Sequence, residues 1–227
     1  MKTKTRSTEQ IVEEQVRRWQ MIQKEEKREK ERISVITISR EPGSGGNILA
    51  KRLSEQLEFD LFYQEFIHNM AESAQVSVRL LETLDEKGVS VLEEWISSIV
   101  DKRHLWPDRY LQHLMKIIGT IGKHGRAVIV GRGANFVLPA EKRLSIRIIA
   151  PLETRLKNVS QEYDVAMEDA KSRVLKTESD RKAFIKKYFN DDIAAPLNYD
   201  LIINTGLLNI DDAANAVKGA LSELNRA

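Results

Sequence analysis

Apolar positions along the chain fall into two rhythms. Short β-branched or aromatic runs recur at Ile33 to Ser39, Phe59 to Tyr63, Ala127 to Val130, Leu144 to Ile149 and Leu201 to Asn204. Such runs are too apolar to leave one face in water, which predicts parallel strands covered on both sides. Between them the rhythm becomes helical. Leu49, Leu53 and Leu57 recur every four residues with Ala50 beside them, while Lys51, Arg52, Glu55 and Gln56 take the rest of the wheel. That spacing predicts an amphipathic helix from Asn47 to Leu57. Two longer helical stretches, about 65–123 and 153–192, interrupt the strand series with no repeat or low-complexity linker between. Both are expected to decorate one sheet, giving an α/β sandwich.

The first 32 residues follow a third pattern, with ten Lys or Arg, seven Asp or Glu, and no Gly or Pro. Val12, Val16 and Trp19 stand at i, i+4 and i+7, so one helix face carries the apolar side chains. This reads as a charged helical extension, 1–32, ahead of a domain at 33–227. Its stripe could dock on the body or on a second subunit, which would make it a homo-oligomer contact; the plainer reading is an exposed helical appendage with no function of its own. Residues 24–32 carry no apolar anchor.

Composition narrows the classes. A 227-residue chain with 41% hydrophobic content can bury a sizeable core, and a net charge of +2 advertises no polyanionic partner. The absence of cysteine excludes disulfides, thiolate metal sites and cysteine nucleophiles. The longest run without an acid or base, Leu201 to Ile210, is too short to span a bilayer. The expectation is a cytoplasmic protein that engages neither nucleic acid nor membrane.

The first strand runs into Arg40, Glu41, Pro42, Gly43, Ser44, Gly45 and Gly46, and a helix follows. A glycine-rich turn between a strand and a helix presents backbone N–H groups at the positive end of the helix dipole, which suits phosphate. Against the pattern G-x-x-x-x-G-K-[ST], Arg40 takes the first glycine, Gly45 the second, Gly46 the lysine and Asn47 the hydroxyl. The lysine is missing, so either another cation serves or the loop binds without catalysing. Arg40 is the nearest candidate, since its fork can hold phosphate bidentately; the competing reading is a surface ion pair with Glu41.

Five ordered blocks, Ile36 to Gly46, Leu84 to Glu86, Val128 to Pro139, Arg147 to Arg155 and Pro196 to Thr205, resemble the cytidylate kinase-like proteins among the P-loop nucleoside monophosphate kinases. The resemblance covers the chain from about Ile33 onward. It implies a P-loop sheet with an acceptor-binding helical insertion and a lid, and Mg²⁺-dependent transfer of the ATP γ-phosphate to CMP or dCMP. By position, Gly43, Ser44, Gly45, Gly46 and Asn47 would wrap the donor phosphates, and Arg132 would hold the acceptor phosphate with Tyr63 nearby. Mg²⁺ would ride on the nucleotide, with Ser44 or Asn47 close to it. Arg155, Arg173, Lys186 and Lys187 would supply lid cations, and Arg40, Arg132 and Arg181 the catalytic charge. Two acids of the family pattern are absent: Gly133 follows Arg132, and Gln64 follows Tyr63. These departures leave two alternatives open, an inactive nucleotide-binding regulator and a kinase for another small metabolite.

The four histidines show no metal-pair spacing. Asp85 and Glu86 read as a helix-surface pair, Met70 as packing, and Trp95 and Trp106 as core of the insertion.

Overall fold

The computed structural model describes residues 8–25 and 33–226; the rest of the leading segment lies outside the described residues. In chain order the elements are α1 (Thr8–Glu25), β1 (Val35–Arg40), α2 (Gly46–Leu57), β2 (Asp60–Phe62), α3 (Gln64–Glu72), α4 (Ala74–Leu81), α5 (Glu86–Arg103) and α6 (Arg109–His124). They continue as β3 (Ala127–Val130), α7 (Ala134–Val137), β4 (Arg143–Ile149), α8 (Leu152–Tyr163), α9 (Met167–Phe189), β5 (Leu201–Asn204) and α10 (Ile210–Arg226). All five expected strands form, and all pair in parallel in the order β2-β3-β1-β4-β5.

Alternation along the strands builds two cores. Ile36 and Ile38 of β1 with Leu144, Ile146 and Ile148 of β4 meet Leu49, Leu53, Val217 and Leu221 from α2 and α10. The opposite face carries Val35, Ala127 and Ile129 against α3, α4, α6 and the end of α9. On that second face β1 and β4 also place Thr37, Ser39, Ser145 and Arg147, in the register pairs Thr37 to Ser145 and Ser39 to Arg147. A polar strip therefore runs down the sheet beneath α9. β1 lies between β3 and β4, where the strand order reverses, and ligands of open parallel sheets bind at the carboxyl ends of such strands.

The leading helix packs on its own chain. Val12, Val16 and Trp19 are nearly fully buried and join the α3–α6 core. Trp19 stacks on His124 at 3.9 Å, and Asp60 on edge strand β2 takes the Arg18 guanidinium at 2.7 Å and the Gln15 amide at 2.6 Å. Among the described side chains of α1, the exposed ones are polar apart from Met21. Trp106 departs from expectation: it is 96% exposed, because it falls in the α5–α6 turn just before Pro107 instead of on a helix face. Trp95 is half-buried under the Lys123 ammonium, Met70 is core, and Asp85 caps α5 by accepting from the Gly88 N–H at 2.7 Å.

Candidate active site

The phosphate loop is held open by conformations only glycine adopts readily. Gly43 and Gly45 have φ of +77° and +76°, and a side chain on Gly43 would strike the Arg155 carbonyl. α2 opens at Gly46 with no side-chain cap and no acid in its first turn. Its first N–H groups and dipole are thereby left for an anion, and the cradle fits nucleotide phosphates. Hydrogen bonds from three directions fix the loop: Ser44 Oγ donates to the Glu41 carbonyl at 2.8 Å, Thr205 Oγ1 to the Ser44 carbonyl at 2.7 Å, and the Asn158 amide to the Gly43 carbonyl at 2.8 Å.

Arg40 and Gly46 share one volume. A Cβ on Gly46 would sit 2.5 Å from Arg40 Cβ and 2.9 Å from Cγ, so the arginine stem passes across the bare Cα at the lysine position. Arg40 Nε donates to Asn47 Oδ1 at 3.1 Å, and its guanidinium reaches the Gly131 backbone. The competing reading of Arg40, a surface pair with Glu41, does not hold. Arg40 is 6% exposed, and Glu41 is engaged by Arg155 and by the Ala150 N–H.

Beside the loop lies a cavity of about 270 Å³, between the carboxyl ends of β1 and β3 and the inner side of α9. Arg40, Arg132 and Arg181 line it together with Asp180 and Phe184, and Thr37, Ser39 and Tyr199 lie on its strand side. Arg132 is aimed by an unusual turn, since Gly131, Arg132 and Gly133 all have positive φ of +78°, +52° and +68°. For a non-glycine residue such a conformation costs on the order of 1–3 kcal/mol and concentrates at functional sites. Arg132 Nε donates to the Gln64 carbonyl at 3.4 Å, and the guanidinium lies 5.0 Å from the Phe184 ring centre. Arg181 Nη1 donates to the Arg40 carbonyl at 2.8 Å while its Nε has no partner.

Among the described residues, none of these three arginines has a carboxylate within ion-pair distance. Burial, with repulsion from Arg181 and Arg132 and partial relief from Glu65, pushes Arg40 down to about 9. Burial first, with Arg147 and Arg132 adding to it against Glu65, pushes Arg181 down as well. A guanidinium keeps its proton at neutral pH, so the depression expresses the cost of holding cations together without an anion.

The remaining sequence-picked residues scatter. Arg155 is buried as a clamp, donating to the Ala150 carbonyl at 3.1 Å and bridging Glu41 at 3.4 Å and Glu178 at 3.0 Å. Arg173 lies exposed over the Tyr163 ring, and Lys186 and Lys187 are exposed near the end of α9. None of these four lines the cavity. Tyr63 packs with the α2 side of the sheet, where burial, then Glu55 and Glu65, raises its phenol. Ser44 Oγ and Asn47 Oδ1 are both engaged, and among the described residues no group of three acids or histidines could hold a metal. The space beside Gly133 is filled by the Phe189 ring. Sequence reasoning missed Ser39, Tyr199 and Arg147; the one available signal was an arginine inside the apolar run Leu144 to Ile149.

A covered parallel sheet with this strand order, and a glycine loop between β1 and α2, define a fold of the P-loop class. More particularly, the chain belongs to the cytidylate kinase-like family, whose model matches residues 35–207. It is 25% identical over 196 residues to the cytidylate kinase of Methanocaldococcus jannaschii, covering 85% of this chain and 99% of that one. To the cytidylate kinase of Methanothrix thermoacetophila it is 29% identical over 178 residues, covering 76% and 88%. A solved structure of an uncharacterized protein from Eubacterium ventriosum shares the fold at a TM-score of 0.61 and 22% identity, over 83% of this chain and 98% of that one. No described helix is long and apolar enough to cross a membrane.

Proposed function

We propose that the protein transfers the γ-phosphoryl group of ATP to the phosphate of a nucleoside monophosphate, CMP or dCMP foremost, with Arg40 in the role of the missing lysine. The observation that carries this reading is the convergence of Arg40, Arg132 and Arg181 on one cavity bordering the glycine loop. The 33–227 domain then divides into a donor side at the loop, an acceptor side formed with the 65–123 insertion, and a lid of α8 and α9.

An acceptor phosphate is already a nucleophile, so the protein's part is positioning and charge neutralisation. The loop N–H groups hold the donor phosphates. Arg132 holds the acceptor phosphate, and Arg40 stands between the two sites. Arg181, anchored on the Arg40 carbonyl, closes the cavity from above and helps exclude water. An acceptor oxygen bonds to the γ-phosphorus as the bond to the β–γ bridging oxygen breaks, and ADP leaves. Mg²⁺, carried on the donor phosphates, would neutralise charge between them. Charge also supports the assignment: a buried cluster of cations lacking carboxylate partners is relieved by phosphate oxyanions.

Phe189 beside Gly133 favours a second reading, a kinase for another small phosphorylated metabolite, because it closes the position from which an acid of the family pattern would contact the acceptor. The deciding experiment is ADP release with ATP and Mg²⁺ against a panel of nucleoside monophosphates and a no-acceptor control. Turnover confined to cytidine nucleotides supports the first reading. Silence across the panel, with ATP still raising the Tm, refutes it and leaves another acceptor or a nucleotide-binding regulator.

A further inference from the structure

Arg147 occupies a position that packing alone does not explain. It sits within β4, 6% exposed, on the face where the strip of Thr37, Ser39 and Ser145 runs beneath α9. One guanidinium nitrogen donates to Ser39 Oγ at 2.8 Å, and the group lies 5.6 Å from the centre of the Tyr199 ring. Among the described residues no carboxylate pairs with it, and its field adds to the repulsion felt by Arg181. A buried cation held by a hydroxyl and an aromatic face costs stability that an apolar side chain of similar length would not.

The side chain does not line the cavity; Ser39 and Tyr199 do. Tyr199 Oη lies 2.7 Å from the Ile193 carbonyl and 3.1 Å from Ser39 Oγ, so its single proton goes to the nearer carbonyl. Ser39 Oγ already accepts from Arg147. Its own O–H is then a donor whose acceptor within the protein is Tyr199 Oη at 3.1 Å, a long contact that an anion in the cavity can displace, and it is backed by a full positive charge one side chain deeper.

We propose that Arg147 is a positioning residue of the acceptor site, which polarises the Ser39 hydroxyl so that it donates a stronger hydrogen bond to a phosphate oxygen of the acceptor from the strand side of the cavity. The proposal rests on the reading of the cavity as an acceptor site. It predicts that the arginine sacrifices stability for affinity, the reverse of what a purely structural residue would do.

The test compares Arg147→Met, Arg147→Lys, Ser39→Ala and the Ser39→Ala, Arg147→Met pair. In Arg147→Met the acceptor KM should rise roughly tenfold, the scale of a charge-assisted hydrogen bond, while kcat and the ATP KM hold. Its Tm should stay level or rise, and Arg147→Lys should recover most of the affinity. Ser39→Ala should raise the acceptor KM in the native background and add nothing to Arg147→Met. A readout without turnover is the Tm shift produced by inorganic phosphate with no nucleotide present. That shift should appear in the native protein and in Arg147→Lys and fade in Arg147→Met. Equal phosphate shifts in all three, no shift in the native protein, or a lowered Tm with kcat and KM falling together would overturn the proposal. If the phosphate shifts behave as expected while the ADP panel is silent, the kinase reading fails and the role of Arg147 stands.

Discussion

Arg40 and Gly46 compete for one volume, so substituting either should change the meaning of substituting the other. Gly46→Lys alone forces a Cβ to within 2.5 Å of Arg40 Cβ. Overpacking of this kind costs about 1–3 kcal/mol. In an Arg40→Gly background the obstruction is gone, and replacing a helical glycine gains about 0.5–1 kcal/mol instead. The two effects of the same substitution therefore differ by roughly 1.5–4 kcal/mol, which is the coupling energy of the cycle. Urea unfolding of the native protein, both single variants and the double variant measures it directly. The double variant also supplies the first glycine and the lysine of the loop pattern, with Asn47 still at the hydroxyl position, so its ADP release should exceed that of Arg40→Gly. Additivity of the two stability changes to within about 0.5 kcal/mol would refute the shared-volume argument. A double variant no faster than Arg40→Gly would remove Arg40 from the lysine's role.

Other outcomes follow from the same contacts. Arg132→Ala and Arg181→Ala should each lower kcat by about 10²–10³, the scale for one group clamping transition-state charge, with Tm nearly unchanged; a Tm collapse matching the activity loss would make them structural. Trp19→Ala should cost about 3–5 kcal/mol in urea unfolding, since the ring is buried between His124 and Phe62, and a change under 1 kcal/mol would mean the helix is not docked. The Lys182 hydrogen bond, then Arg155, against burial, holds Glu178 below its ordinary 4.5. Its contribution is full above that value and drains as the pH falls through the lower folded one. Glu178→Gln should therefore sit below the native Tm at neutral pH, with the gap narrowing as the pH falls below the ordinary 4.5. A gap that does not narrow with falling pH contradicts the ion-pair account.

Local chemistry made much of this molecule readable in advance. The five strands announced themselves because parallel strands covered on both faces need apolar side chains in unbroken runs. The glycine loop announced itself because left-handed backbone at Gly43 and Gly45 restricts the residues there. Arg132, between two glycines at the end of a strand, was marked in the same way. The cations of α9 were harder to sort, because a charged helix presents them all round and only its three-dimensional seat shows that Arg181 faces the cavity while Arg173, Lys186 and Lys187 are exposed. Arg155 was misleading for a related reason: its partners, Glu41 and Glu178, are 114 and 23 residues away in sequence. Arg147 and Ser39 meet through the β1–β4 register, a pairing that no local pattern reveals.

The docking of α1 and α10 bears on where the folding unit ends. The region shared with the family closes at residues 35 and 207, yet α1 contributes Val12, Val16 and Trp19 to one core and α10 contributes Ala213, Ala214, Val217 and Leu221 to the other. A chain trimmed to the shared boundaries would keep Arg40, Arg132 and Arg181 and strip a helix from each side of its sheet. Phe62, Ile67 and Met70 would open to water on one flank, and Leu49 and Leu53 on the other. Such a chain should aggregate before any assay could report on its active site.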